Sequence, residues 1–233
     1  MLPVPYDAGT QREHADMKLT PSHIQTARRH LRAADPVMRS MIDAVGPYTL
    51  RFEKDRFGML VRSIVSQQIS TIAARAIRKR LLELAGPEGL TAANLVRFTI
   101  EQLRSVGLSQ QKAAYVADLS CKVREGVVDL RRLGRLSDER VVETLTQVKG
   151  IGRWTAQMFL IFALGRPDVF PHDDLGVRAA IRDRYGLGDL PDKKTSLTIA
   201  APWRPYASVA SWYCWRVLDL ARNTETVATG YPS

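Results

Sequence analysis

The chain reads as a succession of capped helices with little of the apolar–polar alternation that marks strands. Thr20-Pro21 and Asp35-Pro36 each set a capping side chain before a proline at the first helical position, so two helices are predicted to begin there. The second is expected to stop at Gly46-Pro47, followed by a short β-prone piece, Tyr48 to Phe52, and a helix over about 56–66. Ser70 opens a helix with Ala73, Ile77, Leu81 and Leu84 on one face, while Arg75, Arg78, Lys79 and Arg80 lie mostly elsewhere. Gly86-Pro87 ends it. Thr91, Thr99 and Ser109 open further helices, the second with Gln102 in the capping-box position and Gly107 as its stop. Ser137, backed by Asp138 and Glu139, caps a helix that keeps Val141, Val142 and Leu145 together. Residues 154–164 are apolar and unbroken until Gly165, and two more helices are expected over about 174–185 and 205–222. The ends, to about Lys18 and after Asn223, read as disordered and frayed.

Between the helices opened by Ser137 and by residue 153 or so lies Val148-Lys149-Gly150-Ile151-Gly152-Arg153-Trp154-Thr155-Ala156. Two glycines two apart allow a tight hairpin whose N–H groups reach an anion with no Cβ in the way. The start of the following helix adds partial positive charge, so Gly150 and Gly152 mark a site for a backbone phosphate. Such a contact positions DNA without reading its sequence.

Charge agrees with that partner. Lys and Arg number 34 against 24 Asp and Glu, a formal +10 with pI near 9.9, which favours a polyanion. With 233 residues and 45% apolar content there is enough material for one large or two small helical domains. Two cysteines, Cys121 and Cys214, provide no disulfide framework and cannot make a four-cysteine iron–sulfur cluster. His14, His23, His30 and His172 are scattered, so no catalytic metal is expected, and no nucleophile accompanies His172-Asp173. With no membrane-length apolar run and no signal-like start, a cytoplasmic address is expected.

Gly-Ile-Gly-Arg-Trp-Thr-Ala at 150–156, the Gly165-Arg166-Pro167-Asp168 loop and Asp173-Asp174 together resemble the helix-hairpin-helix (HhH-GPD) DNA glycosylases, in particular the bacterial 3-methyladenine DNA glycosylase II branch. The resemblance covers about residues 20–222. It implies an all-α fold of two helical lobes with an active-site cleft between them, where Trp154, Asp174 and Trp212 meet. One lobe would be 61–171, with the helix-hairpin-helix at 137–164; the other would join 19–60 to 172–233. A monomeric enzyme of base excision repair follows, one that flips alkylated bases out of double-stranded DNA and hydrolyses the N-glycosidic bond.

By resemblance the catalytic carboxylate is Asp174, three residues before the apolar Val177 in one helix. Read as residues alone, Asp174 is equally an N-cap, and Asp173 is its rival. A carboxylate in a dry site stabilises the positive charge that bond breaking leaves on the sugar. Relatives that also nick the strand carry a lysine at position 154; Trp154 implies a monofunctional enzyme and can stack on an electron-poor base, although a helix-face tryptophan is also an ordinary core residue. Trp212 and Tyr213 match the family's pocket wall, and at least one of Trp203 and Trp215 is expected to be structural. Met158 and Leu175 stand where the pocket of enterobacterial-type members has aromatics. Gln68, in Ser66-Gln67-Gln68-Ile69-Ser70-Thr71, matches the wedge that fills the gap left by a flipped base, the alternative being a solvent-facing glutamine. The expected DNA contacts are Gln67, Gln68, Ser70, Lys149 (where the family commonly has proline), Gly150, Gly152, Arg153 and Thr155. The carbonyls of Thr146, Val148 and Gly150 would hold a structural monovalent cation. A DNA-binding module without catalysis, or a glycosylase for another lesion such as uracil, shares most of these features.

Overall fold

The computed structural model describes residues 18–221, and within them the protein is helical, with no strand. The expected disorder of the first residues and fraying of the last lie outside this range. By contact the chain divides at Phe52/Glu53 and again at Phe159/Leu160, where the expectation placed 60/61 and 171/172. One unit therefore takes in the described residues up to Phe52 and those from Leu160 onward; the other is Glu53–Phe159.

In the discontinuous unit, α1 (Pro21–Ala34) is capped by Thr20 in a capping box completed by His23, and α2 (Pro36–Val45) by Asp35. Gly46, at φ +85°, ends α2. Residues 48–52 form no strand, and no strand that could pair with them occurs among the described residues. After the second chain crossing, Leu160–Leu164 forms one π-helical turn, and α10 (Leu175–Arg184), α11 (Lys193–Ala200) and α12 (Ala207–Ala221) follow. The long, almost wholly buried α12 packs on both α2 and α10 and is the spine of the unit. A buried charge organises the spine's surroundings. Asp35 accepts the Val37 and Met38 N–H groups at 2.9 and 3.1 Å, Trp203 Nε1 at 2.8 Å, and the Tyr185 hydroxyl. Four donors offset the cost of burying one carboxylate. Trp203 is thus structural.

The continuous unit holds α3 (Arg56–Ser66), α4 (Thr71–Ala85), α5 (Ala92–Leu95), α6 (Ile100–Ser105), α7 (Gln110–Arg124), α8 (Asp138–Leu145) and α9 (Arg153–Phe159). Asp55, Ser70, Thr91, Thr99, Ser109 and Ser137 each cap the helix that follows by accepting a first-turn N–H. Helix α7 is central and packs on α3, α5 and α6, while α9 packs on α3 and α8. The apolar 154–164 run is therefore an α-helix only to Phe159, with the π turn continuing it. Such turns cost helical regularity and recur where a functional segment needs a changed direction.

Candidate active site

In the continuous unit the hairpin between α8 and α9 is held from beneath by α7. Gly150 has φ +82°, and a Cβ there would enter the Tyr115 ring, so only glycine fits on both counts. Tyr115 is fixed in turn by Gln111 Nε2, which donates to its hydroxyl at 2.6 Å. Gly152 differs: its φ is not positive and a Cβ would meet nothing within 4 Å. Its value lies in leaving the surface bare, beside the exposed Lys149, Arg153 and Trp154.

Lys149 donates its backbone N–H to Asp118 Oδ2 at 2.8 Å, and Lys122 Nζ bridges Asp118, at 2.7 Å, to the Gln147 carbonyl, at 2.8 Å. Burial pushes the Asp118 carboxyl upward, but the Lys122 ammonium and the Lys149 N–H outweigh this and hold it below the usual carboxylate range. A depressed carboxyl contributes stability that is present above its unfolded pKa and disappears as pH falls through its folded value. Asp118→Asn should therefore lower thermal stability at neutral pH and narrow the difference from the parent as the solution is acidified below about pH 4. Melting curves across pH check this; an equal deficit at every pH would contradict it.

The turn between α3 and α4 belongs to the same unit and is bolted to the hairpin. Gln67 Nε2 donates to the Gly150 carbonyl at 2.8 Å, which turns its amide inward, and Ser70 Oγ is engaged by Ala73 N–H as the cap of α4. Gln68 is exposed, with φ +55°, the left-handed region that a non-glycine residue rarely enters. Strain of this kind persists where the surroundings fix it. Of the remaining expectations in this unit, Trp154 is 38% exposed, Met158 is fully buried, and Thr155 is 4% exposed. The side chain of Thr155 faces inward on α9 and has no surface to offer DNA, which corrects its expected role. Among the expected cation-binding carbonyls, Val148 accepts the Ile151 N–H at 3.1 Å and Gly150 accepts Gln67.

The discontinuous unit holds the acidic pair. Asp173 is exposed and lies 2.8 Å from His172 Nδ1. Asp174 is 6% exposed and is both a cap and something more. Its Oδ1 accepts the Val177 N–H at 2.7 Å and the Trp215 indole N–H at 2.8 Å. Trp215 on α12 thus meets the carboxylate directly, where the expectation was only that at least one of Trp203 and Trp215 is structural. Leu175, next along, is 66% exposed. Trp212 lies 4.5 Å, ring to ring, from Tyr48 and 5.0 Å from Tyr213, with the Arg216 guanidinium 5.9 Å from its ring. Tyr213 is fully buried and donates to the Gly46 carbonyl at 3.1 Å. Tyr48, inside the segment read as β-prone, thus completes an aromatic cluster with the pair of α12.

The segment that delivers Asp174 is laced to the start of α12. Ser208 N–H donates to the Pro167 carbonyl, Ser208 Oγ accepts the Val169 N–H at 2.9 Å, and Asp168 binds both Arg204 and the Ala207 N–H. Residues 61–205 match the model of the HhH-GPD superfamily of base excision DNA repair proteins. The chain belongs to the HhH-GPD superfamily. It is 32% identical over 206 residues to DNA-3-methyladenine glycosylase 1 of Schizosaccharomyces pombe, covering 86% of this chain and 90% of that protein. To DNA-3-methyladenine glycosylase 2 of Escherichia coli it is 27% identical over 207 residues, 85% of this chain and 68% of that one. The solved S. pombe 3-methyladenine DNA glycosylase, in complex with abasic DNA, superposes with a TM-score of 0.75, covering 86% of this chain and all of that one. A DNA-3-methyladenine glycosidase from Bacillus halodurans gives 0.76 at 34% identity, with 87% of this chain and 93% of that chain covered. HhH-GPD membership makes the all-helical build and the glycine hairpin parts of one inherited plan. Among the described residues no group of His, Cys, Asp and Glu could hold a metal ion, and no helix is long and apolar enough to cross a membrane.

Proposed function

We propose that this HhH-GPD protein is a monofunctional DNA glycosylase that removes alkylated bases and leaves an intact abasic site, working as a monomer on nucleoid DNA in a bacterial cytoplasm. The observation that carries the reading is Asp174: a buried carboxylate held by two N–H donors on the family's catalytic position. A protein that only grips DNA gains nothing from a carboxylate, since like charge opposes a polyanion.

The chemistry asks little more of the chain. As the bond from C1′ to the base nitrogen breaks, its electron pair leaves with the base and positive charge gathers on the sugar. The Asp174 carboxylate stabilises that charge, and water adds at C1′ and loses its proton to solvent. A base alkylated on a ring nitrogen is already cationic and departs neutral, so no strong general acid is needed. Trp154, exposed on α9, offers an indole face to such a cation, and Leu175, exposed beside Asp174, offers apolar surface, whereas Met158 and Tyr213 are wholly buried and have no surface for a base. The hairpin N–H groups, with Lys149 and Arg153, would hold a phosphate, and Gln68 would fill the space the base vacates. The carbonyls of Thr146, Val148 and Gly150 would hold a monovalent cation, the last two through the lone pair left beside their bonds from Ile151 N–H and Gln67 Nε2, and its charge would bridge hairpin and phosphate. Two cysteines are too few to ligate a four-cysteine iron–sulfur cluster, so the reading includes none.

The experiment is incubation with methylated duplex DNA. Mass spectrometry should find released alkylated bases, and strand breaks should appear only after hot alkali, with no adduct trapped by borohydride, because an indole cannot form the Schiff base that an amine does. Equal nicking with and without alkali would overturn the monofunctional reading and direct attention to Lys149 as an amine. No released base from any lesion would favour a DNA-binding role, and release of uracil alone a different lesion.

A further inference from the structure

From the contacts around Asp174 we infer that Trp215 is a positioning residue for the catalytic carboxylate, admitted to that place by Gly176; this rests on the glycosylase reading of Asp174. Trp215 is buried on α12, and its Nε1 donates to Asp174 Oδ1 at 2.8 Å. On its other side the indole stacks on Phe162 of the π-helical turn, with ring centroids 5.5 Å apart and planes 26° from parallel. The ring is therefore clamped and cannot follow the carboxylate if that rotates. Gly176 completes the arrangement. A Cβ there would lie 2.9 Å from Trp215 Cδ1 and 3.1 Å from Asp174 Oδ1, closer than ordinary contact, so any other residue would push indole and carboxylate apart. Gly176 has no positive φ to explain it; room for Trp215 is what it provides.

The Val177 N–H and the Trp215 N–H meet the same oxygen from two elements, α10 and α12. One bond alone makes Asp174 an ordinary helix cap. Two donors that converge on Oδ1 fix the carboxylate in place. Charged and titratable groups on the neighbouring stretches of chain have contacts of their own. Cys214 on α12 is kept a neutral thiol by burial and by the nearby Asp174 and Asp35. Arg178 on α10 donates to the Pro191 carbonyl, Arg216 on α12 pairs with Asp219, and His172 lies against Asp173.

Trp215→Phe keeps a stacked ring and deletes the N–H, and Gly176→Ala pushes the pair apart while keeping both. Single-turnover release of a methylated base should fall about tenfold in each at neutral pH, the loss expected of one hydrogen bond to a charged group. The loss should fall on the single-turnover rate and leave unchanged the enzyme concentration that half-saturates it. Affinity for an abasic-site duplex should stay at the parental value. Trp215→Phe with parental rate, beside an inactive Asp174→Asn, would overturn the role of Trp215 alone. So would a rate loss matched by a fall in melting temperature and weakened binding, which marks a purely structural ring. An active Asp174→Asn would instead remove the glycosylase reading of the site on which the inference stands.

Discussion

Asp174→Asn should reduce base release to background, a loss on the order of 10³-fold or more in single-turnover rate, while affinity for an abasic-site duplex stays equal or rises. The size follows from burial. At 6% exposure the carboxylate acts across little water, where a charge opposite a developing cation is worth far more than at the surface. The affinity follows from sign, because a negative charge is removed from a protein that meets phosphates. Asparagine keeps an oxygen for the Val177 N–H, so the cap of α10 survives and loss of activity cannot be assigned to unfolding. Asp173→Asn is the control: it is exposed and its contact is His172, so activity should be retained. The reverse pattern, an active Asp174→Asn and a dead Asp173→Asn, would shift the catalytic position by one residue.

Gly150→Ala should weaken binding to every duplex alike and lower the melting temperature by on the order of 10 °C. Two costs coincide at one atom. A side chain at φ +82° costs about 1–2 kcal/mol, and driving a Cβ into the Tyr115 ring adds roughly 1–3 kcal/mol of overpacking. Gly152→Ala separates grip from stability, since its Cβ meets no protein atom: the fold should hold and only DNA affinity should fall. Filter binding across salt concentrations reads both, with a log–log slope of about −0.9 for each phosphate neutralised in the parent. Selective loss on one sequence context, or a Gly150→Ala protein with parental stability, would contradict the account.

The helix starts were legible because capping is local. Thr20, Asp35, Ser70, Thr91, Thr99, Ser109 and Ser137 each accept a first-turn N–H as their spacing implied. Helix α11 went unread although Asp192 caps it, because Lys193-Lys194-Thr195-Ser196 hides an apolar face behind polar residues. The glycine hairpin and Asp174 stood out for a similar local reason, since neighbouring residues carry the whole signal. What supports them did not. Tyr115 and Asp118 lie more than 30 residues before the backbone they brace, and Trp215 is 41 residues beyond the carboxylate it holds. Gln67 read as a DNA contact because nothing in its surroundings announces a bond to a carbonyl 83 residues away. Gln68 is a further case: its left-handed backbone is imposed by the turn, and glutamine has no intrinsic preference for it.

The lysine at position 149, where the resemblance leads one to expect proline, changes how the hairpin keeps its order. Proline would restrict the loop even in the unfolded chain and has no N–H to give. Lys149 gives its N–H to Asp118, so this loop has exchanged a stiffness of its own for an attachment to α7. Part of its order is therefore lent by α7, and fraying of that helix should loosen the hairpin with it, as a rigid tip on a separate stem would not.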